Sequence, residues 1–317
     1  MTGSGTGEPI RFEGVSKAYG SHRVLEGFDV SIRAGAVTAL LGPNGSGKTT
    51  ALRILLGHER ADAGRALVGG VAYQSLRFPL RHVGALLDAS WVHPRRSARA
   101  QLTWLAQASG LPRSAVEPAL AQVGLHDVAD NAVGTFSLGM RQRLGIAGTI
   151  LGDPSVLVFD EPLNGLDQSG VVWVRQFLAD QAAHGRTVLL STHLLHEVEL
   201  SAHDVVVIGR RAVLYAGPTS GLSTDWERSV RVDLVDHDPH VRDLEAIADR
   251  RGWRLHARTP EPGVRSFTIQ GADVDDVAAE LSSHRVPVRR VEAAGSLADA
   301  YVSLTEGRAD HVGAGPA

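Results

Sequence analysis

"GPNGSGKTT", Gly42 to Thr50, is the stretch that decides the fold of this chain. It places glycine, lysine and threonine in the spacing G-x-x-x-x-G-K-[ST], between an apolar run, "VTALLG", and a helix-like run, "GKTTALRILLG". Glycines in such a loop let the backbone curve so that its N–H groups face an anion, and the start of a helix favours negative charge. The stretch therefore predicts a strand–loop–helix unit that binds phosphate groups, within a P-loop fold of the α/β class.

The residues of this loop are the first candidates for nucleotide binding. Lys48 is expected to reach the β- and γ-phosphates, and the Thr49 hydroxyl is expected to ligate Mg²⁺. Lys17 and Lys48 are the only lysines, and the other 30 basic residues are arginine, so a compact charge on a flexible stem is favoured here. The candidate nucleotide-binding residues are Gly42, Pro43, Asn44, Gly45, Ser46, Gly47, Lys48, Thr49 and Thr50.

Two adjacent carboxylates end a second apolar run, "SVLVFDEP". Asp160 is expected to hold Mg²⁺ through water, as the acidic residue of P-loop enzymes does. Glu161 is expected to aim at a water in line with the γ-phosphate, as a general base or water-positioning group. Together with the glycine-rich loop, this pair predicts nucleotide hydrolysis.

Composition limits the other function classes. The chain has 317 residues, which favours two domains, and its net charge of −3 gives no sign of a nucleic-acid partner. It has no cysteine, so disulfides and thiolate metal sites are excluded. No apolar run reaches the length of a membrane span and "MTGSGTGEPI" is unlike a secretory signal, so the chain is not expected to cross a membrane by itself.

The pattern of apolar and polar residues changes along the chain, and these changes predict the domains. Alternating runs from residue 10 predict antiparallel strands, residues of about 88–150 read as helical, and "SVLVFDEP" and "TVLLSTH" flank a helix as in a parallel βαβ unit. This first domain is expected over 10–217. Residues 218–307 predict a small α+β domain, for which a ferredoxin-like arrangement fits, and 1–9 and 308–317 predict flexible tails.

Four further motifs resemble those of the ATP-binding cassette (ABC) family, the nucleotide-binding subunits of ABC transporters. "FSLGMRQR" is similar to the family signature, "NGLD" resembles the D-loop with Asp167, and "LLSTHLLHE" resembles the switch strand with His193 as the histidine that contacts the γ-phosphate. "KAYG" places Tyr19 where the family has an aromatic residue that stacks on adenine. These motifs occur in family order over roughly residues 10–217.

The resemblance implies a head-to-tail homodimer in which the signature helix of one copy caps the ATP held by the other. Ser137 and Gly139 would then bind the γ-phosphate of the ATP held by the partner. This explains why the chain has a second helix N-terminus suited to binding anions, about ninety residues after the glycine-rich loop. The signature residues are Ser137, Leu138, Gly139 and Met140, of which Leu138 and Met140 depart from the family's glycine and glutamine. Because this chain has one cassette, two shared sites in a two-fold dimer are expected.

The family's Q-loop glutamine, which approaches Mg²⁺, has no match in the expected segment, "VGALLDAS". Asp88 occupies that position and is predicted to take the metal-side role as a third Mg²⁺ residue beside Thr49 and Asp160. Gln74 falls too early in the chain to replace it. His193, His196 and Glu197 lie close in sequence, but a zinc site needs further converging ligands, and surface positions are favoured for the last two.

The resemblance implies an ATPase, with ATP and Mg²⁺ as cofactors, that drives a separate membrane permease from the cytoplasmic face of the plasma membrane. "RHVGALLDAS", "FSLGMRQRLGIAGTIL" and "EPLNGLD" are most similar to bacterial export ATPases for drugs, antibiotics or lantibiotics. The alternative is a soluble ABC ATPase of DNA repair or translation, although the chain has neither inserted coiled coils nor a second cassette. A P-loop kinase or GTPase would leave the signature and His193 without explanation.

Overall fold

The computed structural model describes residues 7–89, 92–224, 229–235, 238–257, 264–294, 301 and 304–305. The chain divides into two compact units, Met1–Ala216 and Gly217–Ala317. Of the segments predicted as tails, 1–6 and 308–317 lie outside the described residues. Residues 7–9 are described and are not loose: the Gly7 amide donates to the Gly185 carbonyl at 2.7 Å, and the Thr187 hydroxyl donates to the Glu8 carbonyl at 2.9 Å.

A six-stranded sheet in the order β5-β6-β7-β3-β8-β9 forms the centre of the first unit. The four pairs from β5 to β8 are parallel, as the predicted βαβ unit requires. Every residue of β3 and β7 is buried, as expected for inner strands of a parallel sheet. The strands are β3 (Val37–Leu41), β5 (Val83–Leu86), β6 (Val156–Asp160), β7 (Thr187–Thr192), β8 (Asp204–Gly209) and β9 (Ala212–Pro218).

The predicted antiparallel strands near the N-terminus form a second sheet, in the order β2-β1-β4. Alternating side chains of these strands, such as Phe12 and Phe28, enter a core that also contains Leu52 and Val158. This shared core holds the small sheet against the P-loop helix and the central sheet. The strands are β1 (Ile10–Tyr19), β2 (His22–Ile32) and β4 (Ala63–Val68), and the helix after the P-loop is α1 (Lys48–Leu55).

The predicted helical region contains three helices, α2 (Ala98–Ala108), α3 (Val116–Gln122) and α4 (Leu138–Ile150). Two further helices lie beside the central strands in sequence, α5 (Gln168–Ala183) and α6 (Leu195–Ser201). None of the helices in the described part of the chain is long and apolar enough to span a membrane.

The second unit has its own core and an antiparallel four-stranded sheet in the order β11-β12-β10-β13. With two helices between strands, this is the βαββαβ order of a ferredoxin-like domain, in agreement with the sequence prediction. Most of the final predicted helix lies outside the described residues. The elements are α7 (Thr219–Thr224), β10 (Ser229–Val235), α8 (Asp238–Arg251), β11 (Arg254–Ala257), β12 (Val264–Gln270), α9 (Val274–Ser283) and β13 (Val288–Ala293).

Candidate nucleotide-binding site

The loop between β3 and α1 curves tightly because its glycines adopt conformations that other residues avoid. Gly45 and Gly47 have positive φ angles of 80° and 103°. A side chain at Gly47 would also meet Leu25, whose Cδ2 lies 2.7 Å from the place of a Cβ atom. The hairpin β1–β2 therefore packs directly on the loop, and only glycine fits this position.

Lys48, the first residue of α1, lies beneath this loop and is only 5% exposed. Its ammonium group donates to the Gly42 carbonyl at 2.7 Å and to the Pro43 carbonyl at 3.3 Å. It also lies 3.3 Å from Oε1 of Glu161. The predicted phosphate-binding lysine is thus held at the centre of the loop, beside the predicted water-positioning carboxylate.

Glu161 follows β6 and contacts both Lys48 of the P-loop and His193, which directly follows β7. Its other oxygen, Oε2, lies 2.9 Å from Nδ1 of His193. The Glu161 amide donates to the Ser191 hydroxyl at 2.9 Å, which fixes the backbone where β6 leaves the sheet. Because β6 and β7 are parallel neighbours, their carboxyl ends bring these residues together at one edge of the sheet.

Asp160 is oriented by Ser191, whose hydroxyl donates to its Oδ1 atom. Sequence reasoning did not identify Ser191 as part of the site. The available signal is its place in the apolar run "TVLLSTH", where a fully buried hydroxyl needs a polar partner.

A cleft of about 370 Å³ lies over the loop. Its lining includes two residues of β2, His22 and Val24, that sequence reasoning missed because nothing in their local pattern marks them as near the loop. The Ser46 hydroxyl is buried and has no hydrogen-bond partner in the part of the chain that the structure describes. The lining residues are His22, Val24, Asn44, Gly45, Ser46, Gly47, Lys48, Thr49, Thr50 and Glu161.

Tyr19 lies at the end of β1, directly opposite His22 across the β1–β2 hairpin. The residue is 46% exposed, and the Lys17 ammonium lies 5.2 Å from the centroid of its ring. The predicted adenine-stacking residue is therefore adjacent to a residue that lines the cleft.

The signature residues are not among the described residues that line this chain's own cleft. Ser137 is the exposed N-cap of α4, and its hydroxyl accepts from the Met140 amide at 3.2 Å. Leu138 is 43% exposed. Asp167 caps α5 by accepting from the Gly170 amide at 2.8 Å.

Asp88 also lies outside the lining of the cleft described above. It is exposed and lines a second, mostly apolar groove of about 470 Å³ with residues such as Leu86, Leu105 and Gly145. Gln74 is in a 3₁₀ turn, packs over Gly57 just after α1, and is likewise not among the residues that line the cleft. The Mg²⁺ role of Asp88 stays a prediction.

The residues present fit Mg²⁺. Thr49 and Asp160 supply hydroxyl and carboxylate oxygens, the ligands that Mg²⁺ prefers, and phosphates and water complete such sites. No group of three or more His, Asp or Glu side chains with metal-binding geometry occurs among the described residues. His196 pairs instead with Glu199 at 3.8 Å, and Glu197 with Arg175 at 3.9 Å.

Comparison with known proteins places this geometry in a family. Residues 25–164 match the family described as "ABC transporter". The chain is 34% identical over 313 residues to the daunorubicin resistance ATP-binding protein DrrA2 of Streptomyces coeruleorubidus, covering 88% of this chain and 96% of that protein. It is 37% identical over 304 residues to the Nod factor export ATP-binding protein I of Burkholderia orbicola, covering 94% and 97%.

A solved structure agrees with these relatives. The protein cbiO1 from Clostridium perfringens, part of the ABC transporter complex cbiONQ, superimposes with a TM-score of 0.61 at 26% identity, over 77% of this chain and 96% of that one. The cassette fold and the family resemblance drawn from the motifs are confirmed. This chain is a member of the ABC transporter family and, within it, an ATP-binding ATPase subunit of a transporter.

Proposed function

We propose that this chain hydrolyses Mg²⁺-ATP as a head-to-tail homodimer and thereby drives a separate membrane permease that exports a drug, an antibiotic or a similar molecule. The observation that carries the proposal is the contact of Glu161 with both Lys48 and His193 at the carboxyl edge of the central sheet. It joins a phosphate-binding cation, a carboxylate and a histidine in one site.

The contacts suggest how nucleotide changes the site. Lys48 is paired with one carboxylate and two carbonyl oxygens, and the triphosphate of ATP carries more negative charge than this carboxylate and attracts the ammonium group more strongly. When Lys48 turns to a phosphate, Glu161 loses one partner and keeps His193. Glu161 can then accept a proton from, or orient, the attacking water, and the buried Ser46 hydroxyl gains an acceptor.

Thr49 and Asp160 are the proposed Mg²⁺ residues, with Asp88 as a third candidate. Mg²⁺ neutralises charge on the phosphates during transfer when it is bound. The Ser191 hydroxyl holds Asp160 in one orientation, so the carboxylate is preorganised for this role.

The homodimer is proposed because the signature helix start lies outside the lining of its own cleft among the described residues. Ser137 and Gly139 are placed at the N-terminus of α4, where backbone N–H groups and the helix dipole favour an anion. A second copy can supply that anion as the ATP on its P-loop. Each of the two sites is then incomplete without the partner.

Export is proposed from the named roles of the relatives. One relative is a daunorubicin resistance protein and another a Nod factor export protein, and both align with nearly the whole of this chain. An ATP-binding subunit of a transporter needs a membrane partner, and the cytoplasmic face of the plasma membrane is the proposed location. The repair or translation alternative has no support from these relatives.

The test is the mass of the Glu161→Gln protein in solution with and without Mg²⁺-ATP. Removal of the carboxylate should nearly abolish hydrolysis but leave binding intact, so ATP should convert monomers to dimers. Lys48→Ala is the matched control, since it should lose both binding and dimerisation. Glu161→Gln monomers that persist at saturating ATP would contradict the proposed dimer.

A further inference from the structure

Lys17, one of the two lysines of the chain, is held by an unusually complete set of partners near the nucleotide site. Its ammonium group lies 2.8 Å from a Glu59 oxygen and 3.5 Å from an Asp62 oxygen, and it donates to the Arg60 carbonyl at 2.8 Å. The Lys17 side chain is only 11% exposed. These contacts fix the charge in one place, unlike a solvated surface lysine.

The same ammonium group lies 5.2 Å from the centre of the Tyr19 ring. This is within the range of a cation–π interaction, which attracts the ring to the charge. Glu59 holds this ammonium group at 2.8 Å, and the hydrogen bond from Lys17 is the main cause that lowers the pKa of Glu59. The Tyr19 ring is thus held by a charge that Glu59 fixes in place.

Glu59 is itself tied to the P-loop helix. Its amide donates to the carbonyl of Arg53, a residue of α1, at 3.2 Å. The chain of contacts therefore runs from α1 through Glu59 and Lys17 to Tyr19. It ends beside His22, the cleft residue that faces Tyr19 across the hairpin.

We infer that Lys17 and Glu59 are positioning residues that hold the Tyr19 ring for stacking on the adenine of ATP. The inference rests on the proposed nucleotide site. It adds that Lys17 and Glu59 affect the binding of the base and not the binding of the phosphates. A ring that is already fixed loses little conformational freedom when the base stacks on it, so affinity for the base rises. Lys17 acts through Tyr19 and does not touch the nucleotide itself.

The competing explanation is that Lys17 only fastens β1 to the segment 59–62. Both explanations predict some loss of stability in Lys17→Met. They differ in binding, because a loosened loop affects every ligand of the cleft, whereas a misplaced Tyr19 affects only ligands with a base.

Two ligands separate the explanations: Mg²⁺-ATP, which has a base, and Mg²⁺-tripolyphosphate, which has none. Dissociation constants are measured by calorimetry on the full-length chain carrying Glu161→Gln, so that hydrolysis does not interfere. In Lys17→Met we expect ATP to bind about three- to tenfold more weakly and tripolyphosphate to bind as before. Glu59→Gln should act in the same direction, and Lys17→Met should add nothing to Tyr19→Ala.

Arg23→Met is the matched control, because Arg23 lies on the same hairpin and pairs with Glu26 rather than with Tyr19. It should leave both dissociation constants unchanged. Equal weakening of both ligands in Lys17→Met, or no weakening of ATP, would overturn the inference. So would an effect of Arg23→Met as large as that of Lys17→Met.

Failure of the inference can be distinguished from failure of the proposed site. If Tyr19→Ala leaves the ratio of the two dissociation constants unchanged, the adenine stack is absent and the inference is wrong, while the phosphate site stands. If Lys48→Ala weakens neither ligand, the proposed phosphate site itself is wrong.

Discussion

At the scale of the residue, Glu161 combines the central contacts of the site with an unfavourable backbone conformation. Its φ angle is 47°, in the left-handed region that residues with a Cβ atom rarely adopt. The Ser191 hydroxyl and carbonyl hold its amide and keep this conformation in place. This strained conformation places the carboxylate between Lys48 and His193.

This strain predicts an order of stability between two inactive variants. Glu161→Gly and Glu161→Ala both lose the carboxylate, but only glycine adopts the left-handed conformation without cost. We expect Glu161→Gly to be more stable than Glu161→Ala by about 1 kcal/mol. The measurement is the free energy of unfolding from urea titration of both variants. Equal stability, or a more stable alanine variant, would show that the residue is not strained.

The ion pair of Lys17 and Glu59 predicts a dependence of stability on pH. The Lys17 hydrogen bond holds the pKa of Glu59 below its ordinary value of 4.5. Because the pKa is lowered on folding, the stabilisation is present above that ordinary value and is lost as the pH falls through the lowered pKa. The pKa of Lys17 is raised above 10.5, mainly by its hydrogen bond to Glu59, so this contribution is lost only in strong alkali.

Glu59→Gln isolates this contribution, since it removes the charge and keeps the shape. We expect wild type to exceed the variant in free energy of unfolding near pH 7, and the difference to shrink as the pH falls below 4.5, the ordinary pKa of a glutamate. The measurement is urea unfolding of both proteins across that range. A difference that stays constant down to the acid limit would exclude the ion pair as its source.

At the scale of the element, α4 is fixed on the central sheet by glycines. A methyl group at Gly84 of β5 would overlap the carbonyl oxygen of Thr149 in α4, and one at Gly145 of α4 would lie 2.8 Å from a methyl carbon of Leu86. Helix and strand backbones therefore approach closely. The N-terminus of α4, which carries the signature, takes its place from this packing.

The two glycines predict substitutions of unequal cost. Gly84→Ala meets backbone, which cannot move aside, and should lower the free energy of unfolding by about 3 kcal/mol. Gly145→Ala meets only the end of a flexible leucine side chain and should cost about 1 kcal/mol. Urea unfolding of both variants measures the costs. Reversal of this order would mean that the close approach of α4 to β5 is not maintained in solution.

The signature and the D-loop also lie close together, although they are apart in sequence. A Cβ atom at Gly165 would lie 3.0 Å from Cδ2 of Leu138, and one at Gly139 would lie 4.0 Å from Cδ2 of Leu166. Leu138, which departs from the family's glycine, therefore packs against the D-loop segment.

At the scale of the whole molecule, the proposed dimer contains two sites that each need both copies. Ser137→Asp keeps an acceptor that can cap α4 but sets a negative charge where a phosphate would bind. Each shared site consists of the signature helix of one copy and the P-loop of the other, and Lys48→Ala removes the phosphate-binding charge of the P-loop part. Each variant alone is expected to be inactive, because two copies of the same variant cannot form a complete site.

A mixture of these two inactive variants should regain activity. A mixed dimer has one complete site, so equal amounts should reach up to roughly a quarter of the wild-type ATPase rate. The rate is measured at protein concentrations at which ATP drives dimerisation of the wild type. A mixture that stays as inactive as its components would contradict sites shared between copies.

The sequence by itself determined the cassette fold, the strand–loop–helix unit of Gly42 to Thr50, and the order of the motifs. These features are local: glycine spacing, apolar periodicity and the ends of strands are set by neighbours along the chain. The βαββαβ order of the second unit was predicted for the same reason. The identities of Lys48, Asp160, Glu161 and His193 as candidates were equally readable.

Only the tertiary structure decided which of these candidates meet. Parallel pairing of β6 and β7 brings Glu161 to His193, and the packing of the small sheet brings His22 and Val24 to the loop. The same packing sets Lys17 beside Tyr19 and Glu59. No pattern in the sequence predicts that these side chains are in contact. Such contacts join distant parts of the chain through the shared core, so their geometry follows from the packing of whole elements and not from any local pattern.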